Sequence, residues 1–172
     1  MRLWNGWGNE DSDLTMELSS GLSMLLEALV GTGTALPQAT LNDVISKVPN
    51  TRLENHPLII TDPETRVRHS RGQSLPDWLE MHSGNVDTFP DGVAFPESSE
   101  QVRELLAHAK ENNLVVIPYG GGTSVVGHIN PENSDKPVLT IDMGKMNSMM
   151  SIDTESQLAT FGASGCRPAV IF

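Results

Sequence analysis

Pro118-Tyr119-Gly120-Gly121-Gly122-Thr123-Ser124-Val125-Val126-Gly127 follows directly on Leu114-Val115-Val116-Ile117, and the reading of this junction decides the fold. The β-branched run reads as a strand buried on both faces. Consecutive glycines add chain entropy to the unfolded state, so they are best explained where side chains would block a positive φ or the close approach of a ligand to the backbone. Successive N–H groups in such a turn form a concave nest for anionic oxygens, and Thr123 and Ser124 add hydroxyl donors at its end. A phosphate or diphosphate fits. The competing reading is a plain glycine-rich turn between strands; the position directly after a buried strand favours the ligand. The loop lacks the Lys-Ser/Thr ending of a P-loop and the G-x-G-x-x-G spacing of a doubly wound dinucleotide fold. ATP hydrolysis and a standard nicotinamide site are therefore disfavoured.

Upstream, Gly92-Val93-Ala94-Phe95-Pro96 reads as a short buried strand. Ser98 or Ser99 caps a helix, with Gln101 placed as in a capping box and Val102, Leu105, Leu106 and Ala109 as its apolar stripe. Asn112 and Asn113 end it. Strand, helix and strand make a β-α-β unit with parallel strands and a right-handed crossover. Downstream, residues 138–142 and 157–161 read as further strands, with 143–150 and 153–155 as their connection. The methionines Met143, Met146, Met149 and Met150 read as a packing stripe.

Residues 1–56 read as an N-terminal helical leader and 57–172 as the domain. The leader offers helices over 18–30 and 37–48, the second capped by Thr40 with Leu41, Val44, Ile45 and Val48 at helical spacing. Trp4, Trp7 and Trp78 read as anchors of the leader on the domain. Residues 58–63 read as a short strand or an extended entry ended by Pro63, and 74–81 as a helical turn. Between them stands a basic patch of Arg66, Arg68, His69 and Arg71. Its first reading is a solvated basic strand; its second places positive charge near a phosphate or acyl-phosphate substrate.

The whole chain has 172 residues, one of them cysteine, which suits a single domain with a real core and no internal disulfide. A formal net charge of −11 argues against a nucleic-acid partner. The apolar run 22–30 carries Glu27 and is far shorter than the roughly 20 residues of a membrane span, so no transmembrane segment is expected. The opening residues lack a secretory signal, and a reducing, cytoplasmic setting is the expectation. The five histidines show no metal-ligand spacing, so no metal site is expected. Cys166 has no nucleophile signature, and no catalytic residue is identified.

The loop of residues 118–127, preceded by Phe95-Pro96-Glu97-Ser98-Ser99-Glu100-Gln101-Val102, resembles the vanillyl-alcohol-oxidase, or PCMH, type of FAD-binding domain. The opening Trp4-Asn5-Gly6-Trp7-Gly8 narrows the resemblance to the alkyldihydroxyacetonephosphate synthase-like bacterial FAD-linked oxidases. Arg68-His69-Ser70-Arg71-Gly72-Gln73-Ser74-Leu75 and residues 138–153 are also similar to that family, so the resemblance runs from about residue 3 to 162. It implies an α+β fold: the first β-α-β subdomain of the FAD domain, with a helical leader. It implies that Pro118, Tyr119, Gly120, Gly121, Gly122, Thr123 and Ser124 wrap the diphosphate of FAD. In some relatives a His just after the glycines bonds covalently to the flavin; Thr123 stands there, so non-covalent FAD is implied. His128 lies beyond the loop and reads as a loop histidine.

After Ala163 the sequence departs from the family pattern, and the expectation is a truncated, N-terminal part of the FAD domain. The nucleotide sequence past codon 163 checks this, because another reading frame there would restore the pattern. Such a part would leave apolar surface and a sheet edge uncovered, calling for a complementary chain or a homodimer. The implied activity is that of an FAD-dependent oxidoreductase of 2-hydroxy acids, or of an enzyme exchanging the acyl group of an acylated dihydroxyacetone phosphate for a fatty alcohol. The substrate is thus small or lipid-like. The alternative is an inactive fragment or a non-redox nucleotide-binding module.

Overall fold

In the computed structural model, which describes residues 3–9 and 20–164, the helices begin where short polar residues can cap them. The first, α1 (Ser20–Val30), has no buried residue. Thr40 caps α2 (Leu41–Ile45) in a reciprocal box with Asp43. The expected strand end at Pro63 is instead a helix start: β1 (Ile59–Ile60) is followed at once by α3 (Pro63–Arg68), capped by Asp62. Proline has its φ preset for the first helical position and loses no intrahelical bond there, which the strand reading overlooked. Ser74 caps α4 (Leu75–Ser83) in a second box, with Asp77.

After β2 (Gly92–Ala94) comes α5 (Ser99–Glu111), whose Ser98 cap accepts from the Gln101 N–H. The Gln101 side chain returns to the N–H of Glu97, at 2.6 Å. Of the expected stripe, Leu105 and Ala109 are buried and Val102 half-buried, while Leu106 is exposed. The chain continues through β3 (Val115–Tyr119) and β4 (Val138–Asp142), a 3-10 turn at Met143–Lys145, and the hairpin of β5 (Met149–Asp153) and β6 (Leu158–Phe161).

The four-stranded sheet has the order β1-β2-β4-β3. β2 and β3 each pair parallel with β4, and β1 runs antiparallel to β2. The strands of the β-α-β unit are thus parallel but not neighbours, because β4 lies between them. The burial follows this order. β4 is buried from Val138 to Ile141, whereas β3, expected to be buried on both faces, is an edge strand here with Val115 and Pro118 exposed. One face of the sheet packs Ala94, Leu139 and Ile141 on Leu105 of α5; the other gathers Ile117, Tyr119, Ile129 and Val138. A third cluster joins Val44 of α2 to Val67, Met81, Val86 and Phe89, with Trp4 and Trp78 packed against it. Trp7 is exposed and, unlike Trp4 and Trp78, is not among the residues packed on this cluster. Met143 packs on the sheet cluster, but Met149 and Met150 lie on the exposed hairpin, so the methionines do not form one stripe.

The parallel pairing of β2 with β4 begins at Asp91. Its N–H donates to the Val138 carbonyl at 2.7 Å, and its carboxylate accepts from the Val138 N–H at 2.7 Å. Arg52 grips the same carboxylate through its backbone N–H, Nε and Nη2, at 3.1, 2.9 and 2.7 Å. Burial pushes the Asp91 carboxyl up, but the hydrogen bond from Arg52, the two backbone donors and the Arg52 charge together hold it below the usual carboxylate range.

Candidate functional site

The glycine loop leaves the end of β3 and is seated on the segment between α3 and α4. Gln73 donates its N–H to the Ser124 carbonyl at 2.6 Å, and Gly72 donates its N–H to Asn130 Oδ1 at 3.0 Å. Asn130 in turn donates from Nδ2 to Asp77 Oδ1 at 2.6 Å, while Asp77 Oδ2 caps α4 through Ser74. A side chain at Gly72 would collide with the Ser124 carbonyl. The glycine there lets two backbones touch.

The basic patch is not a solvated strand. Arg66, His69 and Arg71 are buried, because each finds acceptors far away in sequence. Arg66 donates to the carbonyls of Pro90 and Pro49, at 2.6 and 2.7 Å. Burial pulls its pKa down, with Asp91 opposing. Arg71 bridges Glu80, Asp87 and the Thr88 carbonyl. His69 donates from Nδ1 to the Thr65 carbonyl at 2.7 Å and sets Nε2 2.9 Å from Asp142 Oδ2. Its ring lies 4.6 Å from that of Tyr119 and edge-on to Phe95 at 5.5 Å. Asp142 also caps the turn that follows β4, accepting from Gly144 N–H at 2.7 Å.

Gly120 and Gly121 line two cavities. One, of about 360 Å³, is walled by Trp4, Arg68, His69, Met81, Tyr119 and Asp142. The other, of about 370 Å³, is formed by the rest of the loop from Pro118 to Val126 with His128 and Ile129. All seven residues expected to hold the diphosphate therefore border one cavity or both. His128 sits at the second, 3.3 Å from the Ser124 hydroxyl. Gly122 has a φ of +65°, which a side chain rarely adopts. Among the described residues neither steric crowding nor a positive φ accounts for Gly120: a Cβ there would meet none of their atoms within 4 Å. The cradle fits a diphosphate, with hydroxyls at Thr123 and Ser124 on the same cavity wall. Cys166 lies outside the described residues. Gln73, Asn130 and Asp142 join the site through contacts with residues far off in sequence, which no local reading assigned to them, and Trp4, read as an anchor, also lines the first cavity.

The fold is α+β, and residues 90–166 match the family model for the FAD binding domain, whose cofactor is FAD. The alkyldihydroxyacetonephosphate synthase of Dictyostelium discoideum is 36% identical over 98 residues, 57% of this chain and 16% of that protein. The mitochondrial D-2-hydroxyglutarate dehydrogenase of Danio rerio is 33% identical over 107 residues, 62% of this chain and 18% of that one. A solved alkyldihydroxyacetonephosphate synthase superposes with a TM-score of 0.72 at 26% identity, over 92% of this chain and 35% of its own. The chain thus spans about a third or less of the proteins it matches.

Proposed function

We propose that the chain holds FAD non-covalently, with its diphosphate over residues 118–124, as the FAD-binding part of an alkyldihydroxyacetonephosphate synthase-like enzyme or an FAD-dependent oxidoreductase. Gly120 carries this reading, since its missing side chain opens onto two cavities and is required by no neighbour among the described residues. Bound flavin supplies a two-electron acceptor. The chain's own part is to position it: Gly72, Gln73 and Asn130 fix the loop, and Asp142 and His69 shape the floor beside it. Thr123 offers no ring nitrogen for a covalent link, so acid precipitation is expected to release all flavin. The relatives' names divide the enzyme reading between a synthase and a 2-hydroxy-acid dehydrogenase, and the substrate is small or lipid-like in either case.

A reducing, cytoplasmic setting belongs to the same proposal; the lone cysteine makes no internal disulfide that would conflict with it. So does a complementary chain or a second copy over the hairpin, where Met149, Met150, Ile152, Leu158 and Phe161 are exposed; the elution volume in size-exclusion chromatography tests it. Among the described residues no helix is long and apolar enough to cross a membrane.

The test is absorbance between about 350 and 500 nm after FAD addition and desalting, with a thermal melt. Flavin retained by the native chain and lost by Gly120→Val, at an unchanged apo melting temperature, supports the reading. Retention by both proteins overturns it.

A further inference from the structure

His69 caps the C-terminal end of α3 and is 8% exposed. Its two ring nitrogens meet acceptors. Nδ1 is 2.7 Å from the Thr65 carbonyl, which cannot donate, so this nitrogen carries a hydrogen. Nε2 is 2.9 Å from Asp142 Oδ2, and the other oxygen of that carboxylate already accepts from the Gly144 N–H at 2.7 Å. One proton is shared by this contact. On Nε2 it makes the ring an imidazolium paired with a carboxylate; on Asp142 it leaves a neutral pair with Nε2 bare.

The surroundings favour the charged pair. Hydrogen bonds between ions are stronger than neutral ones, and the last turn of a helix, with its unsatisfied carbonyls, favours a cation. The ring also lies 4.6 Å from that of Tyr119 and 5.5 Å from that of Phe95, within reach of a cation–π contact. Burial opposes the charge, as do the neighbouring cations Arg66, Arg68 and Arg71. Those three have acceptors of their own: Arg66 the Pro90 and Pro49 carbonyls, Arg68 Glu64, and Arg71 Glu80 and Asp87. Asp142 is the carboxylate that faces His69.

The place of the pair gives it a role. Tyr119 and Asp142 are register partners and the last residues of β3 and β4, and the glycine loop leaves from Tyr119. Through Thr65, Asp142 and the Tyr119 ring, His69 joins α3 to both strand ends at the start of that loop. His69, Tyr119, Asp142, Gly120 and Gly121 line one cavity. Loss of the shared proton leaves a net negative charge beside a loop read as holding a diphosphate.

We propose that His69 is a positioning residue held as an imidazolium between Thr65 and Asp142, and that its charge makes the loop's grip on FAD weaken as pH rises. The second half rests on the FAD reading; the first does not. Long-range ¹H–¹⁵N NMR of the histidine rings in the full chain at about pH 7, without ligand, tests the first half. The His69 signals are assigned by His69→Gln or, if that variant does not fold, as the ring signals that move in Asp142→Asn. Both ring nitrogens are expected to carry a proton. A bare Nε2 overturns the proposal, whatever the chain binds.

Equilibrium dialysis with FAD from about pH 6 to 9 tests the second half. The native chain is expected to lose about tenfold in affinity across this range. His69→Gln is expected to bind more weakly at pH 6 and to show no such slope. His128, at the other cavity, is the second imidazole beside the loop, and His128→Gln is expected to keep the native slope. A flat native profile, or a slope that persists in His69→Gln, overturns the proposal and leaves the FAD reading standing. FAD bound at no pH overturns the FAD reading, and the second half with it.

Discussion

The backbone N–H of Gln73 donates to the carbonyl oxygen of Ser124 at 2.6 Å, so the last residue of the glycine loop is held by the segment that follows α3. A nest of glycines left to itself would have many conformations. Here its far end is pinned by a backbone contact that only a glycine at position 72 permits, and pinned again through Asn130. Preorganisation of this kind lowers the ordering cost of binding.

The first prediction follows from that contact. Gly72→Ala sets a methyl group against the Ser124 carbonyl, with Asp77 Oδ2 only 3.2 Å away on another side. Both neighbours are fixed, so the backbone must separate. The expected loss is about 1–3 kcal/mol in urea denaturation, together with weaker FAD binding, because the displaced atoms belong to the cradle.

Asn130 supplies the second. Its amide oxygen accepts from Gly72 and its amide nitrogen donates to Asp77. Asn130→Ala leaves the Gly72 N–H and one buried Asp77 oxygen without these partners and should cost about 1–3 kcal/mol. Asn130→Asp places a second carboxylate against Asp77 and should be worse than alanine at neutral pH. Urea midpoints of the two variants, measured side by side, check the order.

The caps at Thr40 and Ser98 and the β-α-β unit were legible because they are local: each capping side chain acts on the residue three positions on. The glycine loop was legible for the same reason. The place of β4 between β2 and β3 was not, since strand order is settled by packing rather than by spacing. The basic patch was misread because the partners of Arg66, His69 and Arg71 come from up to 73 residues away. A sequence shows four basic residues together and nothing of the carbonyls and carboxylates that bury three of them. Trp4 was read as an anchor, which it is, but its second face on the cavity depends on a turn whose position only the fold supplies.

Asp142 gives a third prediction. One oxygen caps Gly144 and the other meets His69 Nε2. Asp142→Ala removes both and should cost about 1–3 kcal/mol, with the cavity wall at His69 and Tyr119 loosened. Asp142→Asn keeps an oxygen for the cap and should recover part of the stability. Thermal melts of the three proteins, with and without FAD, separate the effect on the fold from the effect on the site.

The fourth concerns pH. Asp91 is buried and accepts from four donors of Arg52 and Val138, and its carboxyl lies below the usual range in the folded chain. A group with a depressed folded pKa binds protons more weakly when folded than when unfolded. Its contribution is therefore fully present above the unfolded value of about 3.9, and it is lost as pH falls from there through the lower folded value. Asp91→Asn keeps the shape but removes the charge and turns an amide N–H₂ toward donors. At pH 7 it should be less stable than the native chain by about 2 kcal/mol, and the gap should narrow below about pH 4 as the native carboxylate is protonated. Urea denaturation of both proteins between about pH 3 and 7 tests this; a gap of constant size across that range would show that the pairing of β2 with β4 does not depend on the Asp91 charge.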